Sequence, residues 1–335
     1  MPFVTSPAFP VAGAATSPPI YPAGGTGNTL GTFGFIPEIW SGKLIEKFYA
    51  STVLSAISNT DYEGEIKSQG DKVHIRTKPT ITISDYRADG SLALQRPSGN
   101  FVDLLIDQAK YFNTILDDVM DVQSDLNNLN IWADDAAEQM KIVVDTAVLL
   151  GILNGATAVT NRGATAGAIS AGINLGITTS PLSIVATAPT GGQVDILDAI
   201  LRLGQVLDEQ NIPETGRWIV MPTWAATLIK KSELRQAYLS GDPVSTLRNG
   251  RMGQIDRFTL YSSNLLPHGT AAGLAATEWV IYAGHAHGLT FASQMTKVET
   301  LRSEMTFGNV FRGLQVYGYK VLDGTALSQS IVVKV

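Results

Sequence analysis

A chain of 335 residues with no cysteine, 24 basic and 30 acidic side chains and a net charge of −6 has room for two or three domains. It cannot build a disulfide framework, and it lacks the clustered Lys and Arg of a dedicated nucleic-acid binder. Hydrophobic residues make up 44% and charged residues only 16%, so partners are expected to cover much of the surface, because large exposed apolar patches are rare on monomers; one large core is the alternative.

Residues 1–34 are rich in Pro, Gly, Ala and Thr, as in SPPIYPAGGTGNTLGTF (17–33). Such a segment builds no core of its own and reads as an extended arm. Its aromatics Phe3, Phe9 and Tyr21 suit docking on a neighbour, and a loose tail is the other reading. PEIWSGKLIEKFYASTVLSAI (37–57) follows, with Pro37 at a first helical position and Ile39, Leu44, Ile45, Phe48, Thr52 and Ala56 on one face. A helix is expected there, weakened by Gly42.

From 62 to 110 the period changes to two. Val73, Ile75 and Thr77 alternate with His74, Arg76 and Lys78, and Val102, Leu104 and Ile106 alternate again after the turn-rich stretch 86–100. This predicts a long hairpin, with Pro79 at an edge or a break. A two-stranded ribbon is not stable alone in water and must lie on this subunit or on another. The segment 128–155 is the strongest helix, with Trp132, Ala136, Met140, Val143, Ala147 and Leu150 inward and Gly155 as its stop. Asp134, Asp135 and Glu138 would complement the positive end of its dipole.

Residues 155–192 read as loops and short strands. A helix over 194–213, a short buried strand RWIVM (217–221) ended by Pro222, a helix over 223–237 and strands at 258–263 and 278–284 then alternate as in a mixed α/β domain. The tail strands at 297–304, 311–324 and 330–335 are expected to share a layer with the 62–110 hairpin. Apolar runs such as 147–153 are too short to span a bilayer, and the N-terminus lacks the pattern of a signal peptide, so no membrane association is expected.

Motifs for chemistry are weak. GEIKSQGDK (64–72) has no hydroxyl after its lysine and sits between strands, so it is no phosphate loop. GAISAG (167–172) has the wrong spacing for a nucleophile elbow. His285 and His287 could share a strand face as metal ligands, but only His74 and His268 remain to complete a set, so they read as ordinary loop residues. Asp117, Asp118, Asp121 and Asp125 lack the turn glycine of a calcium loop and read as a solvated or subunit-contacting face. No catalytic, cofactor or metal site is expected. Arg76, Arg87 and Arg96 on the hairpin, and Arg248 and Arg251 in the glycine loop of LRNGRMGQIDRFTLYSSNLLP (247–267), suit bidentate pairing with carboxylates of a neighbouring subunit. Solvated charges are the alternative. Asp134, Asp135 and Glu138 are candidates for the same kind of contact.

The order of arm, helix, hairpin, long helix, α/β domain and returning strands resembles the major capsid (coat) protein of tailed double-stranded DNA bacteriophages, with its α+β, HK97-type fold. DTAVLLGILNG (145–155) is similar to the end of that family's spine helix, RWIVMPTWAATLIKK (217–231) to its strand-Pro-helix unit, 247–267 to its Gly-x-x-Gly strand segment, and LRSEMTFGNVFRGLQVYGYKVLDG (301–324) to its closing strands. The resemblance covers about 35–335. It implies an N-terminal arm (1–34), a first peripheral-domain helix (35–61), an extended loop lying over an adjacent subunit (62–110) and a peripheral domain with a spine helix at about 128–153 (111–190). An axial domain (191–290) and returning strands (291–335) follow. The implied function is self-assembly, through pentamers and hexamers, into an icosahedral shell that encloses double-stranded DNA without sequence-specific binding. It implies no enzymatic activity and a virion location, with assembly in the host cytoplasm. A separate scaffolding protein, a portal protein and a decoration protein are the implied partners. Lys67, Lys72 and Lys78 lie in the hairpin where some members crosslink lysine to asparagine, but no partner is evident and no crosslink is expected. A cellular nanocompartment shell of the same fold and an α/β enzyme are the alternative functions.

Overall fold

The computed structural model describes residues 49–63, 72–79, 81–86, 88, 94–119, 128–155, 159–170, 172–232, 253–304 and 306–335. In chain order its strands are β1 (Lys72–Arg76), β2 (Phe101–Leu105), β3 (Gln108–Asp117), β4 (Leu182–Val185), β5 (Val194–Asp195), β6 (Arg217–Met221), β7 (Gln254–Ile255), β8 (Phe258–Ser262), β9 (Glu278–His285), β10 (Leu289–Arg302), β11 (Gly308–Val321) and β12 (Leu327–Lys334). The helices are α1 (Leu54–Ile57), α2 (Asn128–Asn154), α3 (Ile196–Glu209) and α4 (Thr223–Lys231), besides short 3-10 turns.

Among the described residues the strands form three sheets. β1 and β2 make an antiparallel ribbon, in register from Lys72 opposite Leu105 to Arg76 opposite Phe101. β10, β11 and β3 make a second, fully antiparallel sheet. The third has seven strands in the order β5-β4-β12-β9-β6-β8-β7. The tail therefore does not share a sheet with the ribbon, contrary to the expectation that the two form one layer. Its long hairpin takes β3 as partner instead, because the chain breaks at Ile106–Asp107 and β3 starts a new strand opposite Tyr317. The last strand, β12, leaves that layer and sits in the middle of the seven-stranded sheet, parallel to β4 and antiparallel to β9.

Strand alternation decides what each face of the large sheet meets. Ile219 and Met221 of β6, Ile281 and Ala283 of β9 and Phe258 and Leu260 of β8 pack with Leu203, Val206 and Leu207 of α3 and Ala225 and Leu228 of α4. The opposite residues Trp218, Val220, Val280 and Tyr282 pack with Val144, Val148, Leu149 and Ile152 of α2 and with Val53, Leu54 and Ile57. Both faces are covered, which is why β6 is buried at every position.

The inward face of α2 is not the one its periodicity pointed to. Val144, Val148, Leu149 and Ile152 are buried, while Val143 is 44% exposed. From Ile142 to Leu153 the helix is apolar on most sides, so the pattern does not select a face. α3 shows the same kind of shift: Ile200, Gly204 and Leu207 are buried as expected, but Leu203 is buried in place of Leu201. Nor do Asp134, Asp135 and Glu138 serve the dipole, since α2 begins at Asn128 and its first turn holds no acidic residue; the effect fades beyond that turn.

Residues 49–63 form a strap across these layers. The Tyr49 hydroxyl donates to Asp135 Oδ1 at 2.7 Å, and the Ser51 carbonyl accepts from the buried Ser263 hydroxyl at 2.9 Å. The Val53 amide donates to Asp145 Oδ2 at 2.7 Å. Asn59 exchanges backbone hydrogen bonds with β10, its N–H donating to the Leu289 carbonyl and its carbonyl accepting from Phe291 N–H. Asp145 is 1% exposed. Burial pushes its carboxyl up, opposed by the N–H groups of Val53 and Leu54. A buried carboxylate is tolerated there because it accepts backbone N–H groups at the start of α1 that would otherwise have no partner.

Two substitutions test these packing statements. A Cβ on Gly318 would lie 2.1 Å from the Leu105 carbonyl oxygen, so Gly318→Ala should lower subunit stability by about 1–3 kcal/mol in denaturant titration. Asp145→Ala orphans the amide at Val53 and should cost about 1–3 kcal/mol in the same assay, with hydrogen-exchange protection lost at 53–57 ahead of α3.

Candidate subunit-contact surfaces

The ribbon is built as a half-covered element. Val73 and Ile75 turn inward with Tyr62 and Val316 onto the small core of Leu104, Ile106 and Ala292, while Lys72, His74 and Arg76 are exposed. Asp103, opposite His74, accepts from Lys72 and His74 Nδ1, each at 2.6 Å, and the Lys72 bond is the main cause of its lowered carboxyl pKa. Past Arg76 the arms open. Thr77 still bonds the Asn100 carbonyl through its amide and its hydroxyl, each at 2.8 Å. Farther out the Gln95 amide group takes the place of a backbone partner, accepting from Thr82 N–H at 3.0 Å and donating to the Thr82 carbonyl at 2.6 Å. This holds the arms together while leaving Ile83 89% and Leu94 97% exposed. Ile81, Tyr86 and Phe101 are exposed beside them.

The three-stranded sheet offers a second open face. Cross-strand register groups Tyr111 with Leu314 and Lys297, Asn113 with Arg312 and Glu299, and Ile115 with Val310 and Leu301. Tyr111, Ile115 and Leu301 are exposed, and Arg312 pairs with Glu299 between them. The far end is fixed by Arg302, which grips the Asp118 carboxylate through both terminal nitrogens, and it presents Phe307 at 81% exposure.

A third feature is the loop at 166–173, closed by the bridge between Ala166 and Ile173. Glu209, at the end of α3, accepts the N–H groups of Ile169 at 2.9 Å and Ser170 at 3.1 Å. The Ser170 hydroxyl first, and then these amides, hold its carboxyl down to about 2. Ile169, between the closing residues, is 80% exposed. The loop thus offers an apolar side chain on a fixed backbone.

The residues singled out in the sequence meet different fates. Arg76 ends β1 and Arg96 lies in the open arm, both exposed. Arg87, Arg248 and Arg251 lie outside the described residues, as do Asp121, Asp125 and the expected helix over 37–48. Asp135 holds Tyr49, whose phenol it pushes up to about 12, and Glu138 pairs with Lys141 one turn away at 2.6 Å; Asp134 is exposed. His285 and His287 do not present one strand face. The chain turns at Ala286–Gly288, and His285 Nδ1 accepts the His287 N–H at 3.1 Å. Asp117 and Asp118 do not gather a cation: Asp117 accepts Val119 N–H and Asp118 is held by Arg302. Sequence reasoning missed Asp145 and Glu209. The signal for Asp145 was a lone charge inside the apolar run IVVDTAVLLGIL (142–153). Glu209 had none, because its partners are backbone groups 39 and 40 residues away.

A family model described as "Phage capsid protein" matches residues 102–330. No curated protein matches the sequence. Among solved structures, one titled "Mycobacterium phage Che8" is similar at a TM-score of 0.69 and 28% identity, over 89% of this chain and 97% of that one. "Capsid structure of the Cyanophage P-SCSP1u" has a TM-score of 0.66 at 13% identity over 90% and 93%. "Capsid of native GTA particle" has a TM-score of 0.62 at 13% identity over 91% and 98%. The last two, at such identity, speak for the fold alone. The fold is α+β and HK97-type.

The depressed carboxyl of Glu209 sets a pH window. Its folded value, about 2, is below the ordinary 4.5, so its contribution is complete above about 4.5 and is lost as pH falls toward 2. Hydrogen-exchange protection at Ile169 and Ser170 should therefore fall across that window in the unassembled subunit. In Glu209→Gln it should be low and flat with pH.

Proposed function

The chain belongs to the phage capsid protein family, and from that premise we propose that it is the major capsid protein of a tailed double-stranded DNA bacteriophage. It is a structural protein that forms the shell of a virion by association with copies of itself. The finer reading is an icosahedral shell of pentamers and hexamers that encloses the genome without reading its sequence. A separate scaffolding protein, a portal protein and a decoration protein complete the proposed set of partners, with assembly in the host cytoplasm. The work of such a subunit is association energy rather than turnover.

The observation that carries this reading is the contrast between closed and open parts of one chain. The seven-stranded sheet is covered on both faces. The ribbon and the three-stranded sheet leave large apolar side chains in solvent, with Ile83, Leu94, Tyr111 and Phe307 all above three-quarters exposed. Exposed apolar area on this scale marks surfaces that another protein covers. An acidic balance, with a net charge of −6, suits a shell that holds DNA loosely, since a strongly basic inner wall would bind it in a salt-dependent way.

Negative-stain microscopy of the purified protein, alone and with a scaffolding partner, should show shells or ring-shaped capsomers. Ile83→Ser with Leu94→Ser should shift particles toward free subunits by about tenfold or more, while the thermal midpoint of the isolated subunit stays unchanged. A monomer under every condition would reject the reading.

A further inference from the structure

One tight turn carries the chain from the seven-stranded sheet straight into the three-stranded one. β9 ends at His285, a 3-10 turn covers Ala286–Gly288, and β10 starts at Leu289. The buried Gly288 offers its carbonyl to Leu322 N–H at 2.9 Å, just past the end of β11. His285 caps the turn from the other side. Its Nδ1 accepts the His287 N–H at 3.1 Å, so the proton of the neutral ring sits on Nε2. Nε2 lies against Gly216, where an added Cβ would come within 3.2 Å of it.

Positive charge surrounds this half-buried ring. Arg217 is its direct cross-strand neighbour, and that side chain is buried. Asp208 meets Arg217 at 2.7 Å but is shared with Arg257, and Glu214, in the loop before β6, is taken by Arg257 at 3.0 Å. His287 is exposed on the turn itself. Beside the adjoining turn at 324–326, the Asp323 carboxylate is occupied by the Thr325 N–H and hydroxyl at 2.9 and 2.6 Å. Among the described residues the histidine that pairs with a carboxylate is His74, and His285 has no such partner. Burial holds its imidazole below the ordinary 6.5, helped by His287 and Arg217 and opposed by a hydrogen bond to the Thr215 backbone.

A proton on Nδ1 does two things at once. It replaces the acceptor of the His287 amide with a second donor, so that N–H loses its partner. It also sets a cation directly opposite the buried guanidinium, a placement that destabilises a strand pair. We propose that His285 is a proton-operated latch on the turn between the two sheets: the neutral ring holds 286–288 closed, and the imidazolium releases it. The strap still spans both layers, so release loosens the connection and leaves the fold in place. Because the folded value is depressed, the contribution of the latch is complete above about 6.5 and is lost as pH falls through the lower folded value. The latch belongs to the single subunit, so it stands or falls apart from the shell reading.

Amide hydrogen exchange and histidine NMR on the unassembled subunit test it. Corrected for intrinsic exchange, protection of the His287 amide should fall about tenfold or more from about pH 8 to about pH 5, with the same midpoint as the His285 ring titration. His285→Asn keeps a capping acceptor that does not titrate, and its protection should be flat over that range. His287→Gln should retain the pH dependence at residue 287. The latch is rejected if protection in the unmodified protein does not change with pH, if the change persists in His285→Asn, or if it disappears in His287→Gln. Where His285→Asn does not fold, the unmodified protein decides, since different midpoints for the ring and the amide reject the latch as well.

Discussion

The Asp145 carboxylate, buried on α2 and bonded to the Val53 amide, is the contact on which the relation between the layers depends. An aspartate at 1% exposure is an unusual choice for a helix face that otherwise carries Val144, Val148, Leu149 and Ile152. It is explained by what it holds. The first amides of α1 point into the core, where water cannot serve them, and a carboxylate is the acceptor that compensates them best. With residue 53 fixed, the strap reaches Ser263 behind it and Asn59 meets β10 ahead of it. One segment of 15 residues, 49–63, therefore touches α2, the seven-stranded sheet and the three-stranded sheet. Val53, Leu54 and Ile57 supply apolar burial on the same segment, so the polar contact orients what the hydrophobic contact stabilises.

The interior and the exterior follow different rules. Inside, Arg217 has its partners within the fold. Arg217 is 1% exposed, and its guanidinium meets Asp208 at 2.7 Å and the carbonyls of Pro213 and Ile212 at 2.8 and 2.6 Å. The Tyr282 hydroxyl, buried under α2, donates to the Leu149 carbonyl at 3.0 Å. Outside, matching is left incomplete: among the described residues Arg76, Lys78 and Arg96 of the ribbon have no ion pair, and apolar side chains stand in water. A chain that must persist as a monomer would be selected against both. A chain that ends in a shell uses both as association energy, provided its fold does not depend on them. The buried network meets that condition, because its partners all come from within the subunit.

Much of this order was legible in the sequence because it is local. The alternation at 72–76, the buried RWIVM strand closed by Pro222 and the long helix at 128–154 each follow from a period or a breaker. What escaped was set by distant partners. Nothing in SIVVKV (330–335) says that it lies between β4 and β9, since a central strand and a returning hairpin read alike as apolar runs. Nothing in QAKYFNTILD (108–117) says that it pairs with the tail rather than extending the ribbon. The face of α2 was missed because apolar residues surround it, and a uniform cylinder has no phase to read. Glu209 and Asp145 bind backbone amides, and backbone has no letter in the sequence.

These two carboxylates respond to acid in opposite senses, which separates the surface from the frame. Glu209 is ionised well below the ordinary range and keeps its loop only while charged, so falling pH removes a stabilising contact. Asp145 is pushed the other way by burial, so the folded chain takes up its proton more readily than the unfolded chain does. As pH falls through that raised value, protonation relieves the buried charge, and the neutral carboxyl still offers an oxygen to the Val53 amide. On acidification Asp145 therefore takes up its proton before Glu209 does, and the loop carrying Ile169 loses its carboxylate contact only as pH falls toward about 2.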